Sequence, residues 1–172
     1  PVTGGTEGAR AGTLTVLVGG DAAVLETVRP LLEVIGGSIH HIGPVGRGQQ
    51  AKAVNQVLVA GSYAAVAEAV ALGQRLDLPM PSVIQALQNG AAGSWALEHR
   101  SNAMLEGAYP LGFRLSLHRK DLGIALDAAR AVNLDLPVTT LVERLESELI
   151  SNGHGDEDVS ALHRWNTPMD EV

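Results

Sequence analysis

The chain has 172 residues, 45% hydrophobic and 18% charged, with mean hydropathy +0.12, formal charge −7 and a pI near 5.3. Its length supports one domain, or a domain with part of another, and its composition is that of a folded globular protein. The acidity and scattered arginines exclude a nucleic-acid or anionic-membrane surface. The absence of cysteine excludes disulfides, thiolate metal sites and a Cys nucleophile. No apolar run is long enough to span a membrane and no basic segment leads into a short apolar one, so a cytoplasmic protein is expected.

Pro1-Val-Thr-Gly-Gly reads as the end of a strand running into a glycine turn. Pro1 is not a natural start, so the chain is expected to be the back part of a longer protein. Residues 13–18, Thr-Leu-Thr-Val-Leu-Val, predict a buried strand stopped by Gly19-Gly20. Asp21 then caps a predicted helix over 22–35, which Pro30 should kink or split. Gly36-Gly37 ends it, and Ser38 to Gly43 reads as a second strand, completing a strand, helix, strand layer.

Residues 49–76 hold no proline, two glycines and many alanines, and predict a single helix of about 28 residues, roughly 42 Å long. Its small residues Ala60, Gly61, Ala64, Ala65 and Ala67 permit close backbone approach, placing it in the middle of a bundle. Further helices are predicted over 81–89, 94–106, 115–132, 137–151 and 156–165, and the end of the chain is expected to fray.

Among the twelve basic residues only Lys52 and Lys120 are lysines. Lys can shift its pKa and cycle a proton where Arg cannot, which makes Lys52 the first catalytic candidate. It falls near the start of the long helix with Asn55 at i+3, so both donors share one face. The positive end of the helix dipole is expected to lower the lysine pKa, and a lysine so placed can donate a proton to a carbonyl oxygen. Gly43-x-x-Gly-x-Gly48 reverses the spacing of a dinucleotide fingerprint and reads instead as a flexible interdomain connection. His40 and His41, adjacent in a strand, point to opposite sides and cannot chelate one metal together. Trp95 reads as core in preference to a cleft wall, Asp127 as surface, and Gly153-His-Gly-Asp-Glu-Asp158 as a loop whose carboxylates cap the next helix. No residues are assigned to a metal.

Several patterns together resemble the β-hydroxyacid dehydrogenases. They are Pro1-Val-Thr3-Gly4-Gly5, Gly12-Thr-Leu, Val18-Gly-Gly, Gly46-x-Gly-Gln-x-x-Lys52-x-x-Asn55, Gly112-Phe113 and Lys120-Asp121-Leu. That family includes 3-hydroxyisobutyrate dehydrogenase, tartronate semialdehyde reductase and, more distantly, 6-phosphogluconate dehydrogenase. The Leu-His-x-Lys-Asp-Leu context is most similar to the tartronate semialdehyde reductase branch. The resemblance implies a mainly α chain. Residues 1–46 would be the last strands of a Rossmann-type α/β domain, 47–166 an all-α substrate and dimerisation domain like the C-terminal domain of 6-phosphogluconate dehydrogenase, and 167–172 a flexible tail.

It also implies reversible hydride transfer between NAD or NADP and a small hydroxyacid. Lys52 matches the proton donor and acceptor, and Thr3 with the Gly4 and Gly5 backbone matches the substrate-carboxylate grip. The family usually has Ser where Thr3 stands, so the hydroxyl survives with an added methyl. Asn55 and Gln56 match substrate-orienting amides. Phe113, Lys120 and Asp121 match the nicotinamide side, with Lys120 as cofactor contact. A homodimer or tetramer through the helical part is expected. The nucleotide-binding fingerprint would precede Pro1, so the chain alone is expected to bind NAD(P)H weakly and not to turn over. The rival reading is an all-α dimerisation module without catalysis.

Overall fold

β2 (Leu14–Gly19) and β3 (Gly36–Gly43) form a parallel pair, with Val16 opposite Ile39 and Val18 opposite His41, and α2 (Ala22–Leu32) makes the crossover. A short β1 (Val2–Thr3) adds antiparallel to β2, with Thr3 opposite Thr15. The computed structural model describes residues 1–166, so the tail expected over 167–172 lies outside the described residues.

Asp21 caps α2 as its sequence predicts, its carboxylate accepting from the backbone N–H of Ala23 at 2.8 Å and Val24 at 3.0 Å. Pro30 does not split the helix. It sits in the last turn, two residues before the end at Leu32, where the hydrogen bond it removes falls on exposed Glu26. Gly36 and Gly37 belong to β3 rather than to a helix end. A Cβ on Gly36 would lie 2.7 Å from the Leu14 carbonyl oxygen, so glycine there lets the strands approach. Between β1 and β2 stands α1 (Gly5–Ala11), a helix that its glycine-rich sequence did not predict.

The predicted long helix is present as α3 (Arg47–Arg75), 29 residues. By length and composition it alone, among the described residues, could cross a membrane. It is instead the axis of a bundle whose other members are α4 (Met80–Leu87), α5 (Trp95–Glu106), α6 (Leu115–Arg130) and α7 (Pro137–Leu149). Ala60, Val66, Ala67 and Val70 of α3 are enclosed by Leu97 and Met104 of α5, Leu115 and Leu122 of α6, and Val142 of α7. Small side chains at 60 and 67 let neighbouring helices close on the axis.

Where one helix was predicted over 137–151 and another over 156–165, α7 unwinds through a π turn (Ile150–His154), with Gly153 at φ 93°, into a 3₁₀ segment (Val159–Asn166). The layer meets the bundle through backbone. A Cβ on Gly48 would stand 2.6 Å from the Leu17 carbonyl oxygen, and one on Gly19 2.7 Å from the Gly48 nitrogen. The segment from Gly43 to Gly48 is therefore a close-packed joint, not a flexible connection: Gly48 is required by contact, and Gly43 and Gly46 by their φ of 137° and 92°.

Candidate active site

A cleft of about 990 Å³ opens where β1 and α1 face α3, α5 and α6. Thr3, Gly4, Gly5, Lys52, Asn55, Gln56, Phe113, Lys120 and Asp121 all line it, so every site residue singled out in the sequence converges on one place. The residues come from four regions separated by up to more than a hundred positions. The cleft exists because α3 runs beneath both halves.

Lys52 is the sixth residue of α3 and is half-buried, its Nζ 5.9 Å from the centre of the Phe113 ring. Its pKa is held below the ordinary lysine range. Burial is the largest cause; the Asp121 carboxylate opposes the shift and the Lys120 ammonium adds to it. The sequence reading assigned this lowering to the helix dipole, but that effect fades within the first turn, and Lys52 already stands beyond it.

Asn55 begins a relay of hydrogen bonds. Its Oδ1 accepts from Thr3 Oγ1 at 3.4 Å, and its Nδ2 donates to Gln56 Oε1 at 2.7 Å. Gln56 Nε2 in turn donates to Asp121 Oδ2 at 2.8 Å, and Asp121 Oδ1 is ion-paired with Lys120 Nζ at 2.7 Å. Gln56 is fully buried with both amide atoms engaged, so its side chain fixes Asn55. Lys120 is largely exposed at the rim. Behind this relay, His118 and Glu146 form a completely buried pair, Nδ1 to Oε1 2.6 Å, with the other ring nitrogen 3.4 Å from the Gln56 carbonyl oxygen. Burial pushes the Glu146 carboxyl above its usual range, against the pull of His118.

Trp95 is not core. It is half-exposed on the cleft wall, stacked on His99 at 4.5 Å, with the Arg100 guanidinium 4.6 Å from its ring centre. Asp127 is exposed and paired with Arg130, as its position on α6 implied. His40 bonds Ser38 Oγ and His41 bonds the Gly20 carbonyl, each at 2.7 Å, so the two rings have separate partners. Sequence reasoning missed Glu7, Arg100 and Asp158. Arg100 bonds Glu7 at 2.5 Å and lies 3.3 Å from Asp158 Oδ1, and it lines the cleft with Glu7. The only signal available was Asp158 two residues before Ser160, which is the helix cap expected of that loop: Asp158 Oδ1 accepts from Ser160 N and Oγ.

With this geometry established, comparison with known proteins defines the class. Residues 46–166 match the profile described as NAD-binding of NADP-dependent 3-hydroxyisobutyrate dehydrogenase, and residues 1–43 match the NAD binding domain of 6-phosphogluconate dehydrogenase. The chain belongs to the β-hydroxyacid dehydrogenase family. It is 42% identical over 162 residues to 2-hydroxy-3-oxopropionate reductase of Escherichia coli, covering 94% of this chain and 56% of that protein. It is 40% identical over 175 residues to an NAD-dependent L-serine dehydrogenase of Pseudomonas aeruginosa, covering 98% and 59%. The structure of 3-hydroxyisobutyrate dehydrogenase of Mycobacterium tuberculosis with L-serine superposes with a TM-score of 0.89 at 32% identity, covering 98% of this chain and 60% of that one. The chain thus spans little more than half the length of these relatives.

Proposed function

We propose that this chain is the substrate-binding part of an NAD(P)-dependent oxidoreductase that interconverts a small β-hydroxyacid and its semialdehyde. The observation that carries the reading is the convergence in one cleft of a lysine with a lowered pKa, the Thr3–Gly5 turn and the Asn55 amide. The relatives named for 3-hydroxyisobutyrate, 2-hydroxy-3-oxopropionate and L-serine all act on short acids of this type by name, which supports the same substrate class here.

In this reading the Thr3 hydroxyl and the backbone of Gly4 and Gly5 hold the substrate carboxylate, and Asn55 orients the reacting hydroxyl. Gln56 acts through Asn55, which it locks by the 2.7 Å bond. Lys52 takes the proton from the hydroxyl oxygen during oxidation and returns it to the carbonyl oxygen during reduction. A bound NAD or NADP supplies the hydride acceptor or donor. The residues on the other side of the cleft fit one end of such a cofactor: Phe113 and Leu117 present an apolar wall beside Lys120, whose exposed ammonium suits a phosphate or carboxamide oxygen. The Phe113 ring also limits water around Lys52, keeping its neutral form accessible as a base.

The helical part also supports self-association, since α3 leaves Val54, Leu58 and Leu72 exposed along its length. Light scattering should give about twice the 17.9 kDa chain mass. The deciding experiment is an assay of the full-length enzyme on a panel of three- to five-carbon β-hydroxyacids with NAD and NADP. Turnover of none would overturn the reading. Calorimetric titration of the chain alone should show weak or no NADH and NADPH binding, because the pyrophosphate turn supplies much of that affinity.

A further inference from the structure

Asp158 comes from the far end of the chain and touches neither the Thr3–Gly5 turn nor Lys52, yet it is tied to the elements that carry both. Its carboxylate is completely buried and saturated. Oδ2 accepts from the backbone N–H of Gly112 at 3.0 Å and of Phe113 at 2.8 Å. Oδ1 accepts from Ser160 N and Oγ, and faces Arg100 Nε at 3.3 Å. Arg100 extends the link by donating to Glu7, on the first turn of α1 and two residues after Gly5. On the other side, Phe113 packs toward Lys52.

Building on the hydroxyacid reading above, we propose that Asp158 is a positioning residue for the reaction: through the Gly112–Phe113 backbone and the Arg100–Glu7 pair it sets the spacing between the Lys52 wall and the Thr3–Gly5 wall. A second observation points to the same assembly. A Cβ on Gly112 would lie 2.3 Å from an Arg100 nitrogen, 3.1 Å from Asp158 Oδ2 and 3.3 Å from Glu7 Oε1, so all three charged groups close around this glycine and a methyl there would displace the Arg100 guanidinium. Fixed carboxylate acceptors of this kind hold backbone amides by charge-assisted bonds, stronger than neutral ones. The spacing matters because hydride and proton must leave the same carbon and its oxygen together, with the acid end already anchored.

Two variants of the full-length enzyme test this. Asp158→Asn places an amide nitrogen against backbone N–H donors whichever way the amide turns, and Gly112→Ala wedges the three charged groups apart while removing none of them. Each is expected to lower kcat/KM for the hydroxyacid by about 100-fold, the scale of a misplacement near 1 Å. As Phe113 moves off Lys52 and water enters, the limb of the kcat–pH profile that reports Lys52 should move to higher pH. A purely structural residue would lower the fraction folded without moving that limb. If Asp158→Asn fails to fold, Gly112→Ala alone decides. A folded variant with unchanged hydroxyacid kcat/KM, or with an unmoved limb, would overturn the proposal. A wild-type enzyme inactive on every β-hydroxyacid would overturn the parent reading and this one with it.

Discussion

Val70, Met104, Leu115 and Leu122 in the helical part are 0% exposed, whereas Val24, Leu31 and Val34 in the α/β layer are 61%, 72% and 77% exposed. Both parts feed one cleft, but they hold their contributions differently. Lys52 and Asn55 ride on an axis helix gripped by packed apolar side chains on several sides, which fixes them as firmly as the core itself. The Thr3–Gly5 turn rides on a layer with little apolar interlock with the bundle. Its place is set by the Gly19–Gly48 backbone contact, the Thr3–Asn55 bond and the Arg100–Glu7 pair. Stability and the proposed proton-transfer group therefore belong to one part, and the spacing to the proposed carboxylate grip depends on a few polar links and glycines.

The largest expected effect separates chemistry from packing. In the full-length enzyme Lys52→Arg keeps the charge and much of the length but cannot cycle a proton, so turnover should fall at least about 100-fold, roughly 3 kcal/mol of barrier, while the thermal midpoint stays put. Retention of more than about a tenth of wild-type turnover in steady-state kinetics would reassign the proton transfer, since general acid/base help is worth more than that.

Stability should divide along the same line. Met104→Ala empties a site with no exposure and should cost about 2–5 kcal/mol by urea unfolding, whereas Leu31→Ala, on the exposed face of α2, should stay within about 0.5 kcal/mol. Equal costs would erase the contrast between the two parts. Gly48→Ala lies between them. Its methyl would meet the Leu17 carbonyl oxygen at 2.6 Å, which forces layer and bundle apart at roughly 1–3 kcal/mol and should raise KM for the hydroxyacid more than it slows any step after binding.

The same contrast explains what the sequence discloses. The bundle was legible because its elements are long and punctuated: α3, α5 and α6 stand within two residues of their predicted ends. The convergence of Thr3, Lys52, Asn55, Phe113 and Lys120 was legible only through resemblance, because no local pattern relates residues that far apart. α1 stayed hidden since seven residues with two glycines and no capping side chain carry no helical signature. Arg100 and Asp158 stayed hidden for another reason. An arginine in mid-helix and an aspartate in an acidic loop look solvated, and only the fold reveals that Arg100 reaches Glu7 across 93 positions and Asp158 reaches Gly112 across 46. Trp95 was placed in the core ahead of the cleft wall because a tryptophan between helices is more often enclosed, and only the fold shows it lining the cleft.

The smallest effects lie at the rim, where signs matter more than sizes. In the proposed reaction Lys52 must be neutral to accept the hydroxyl proton, so kcat for oxidation should rise as pH passes upward through its pKa, which burial has lowered. The nearby Lys120 ammonium disfavours the protonated form of Lys52 and the Asp121 carboxylate favours it. Lys120→Gln therefore removes a repulsion, raises the Lys52 pKa and should move the limb to higher pH; Asp121→Asn removes an attraction and should move it to lower pH. Lys120→Gln should also raise KM for NAD or NADP, consistent with its exposed place beside Phe113, while Asp121→Asn also frees Gln56 and lowers kcat at the plateau. The direction of each limb is read independently of its height, so loss of the relay cannot imitate the shift. Profiles that moved the same way in both variants, or in neither, would show that the titrating group is not Lys52.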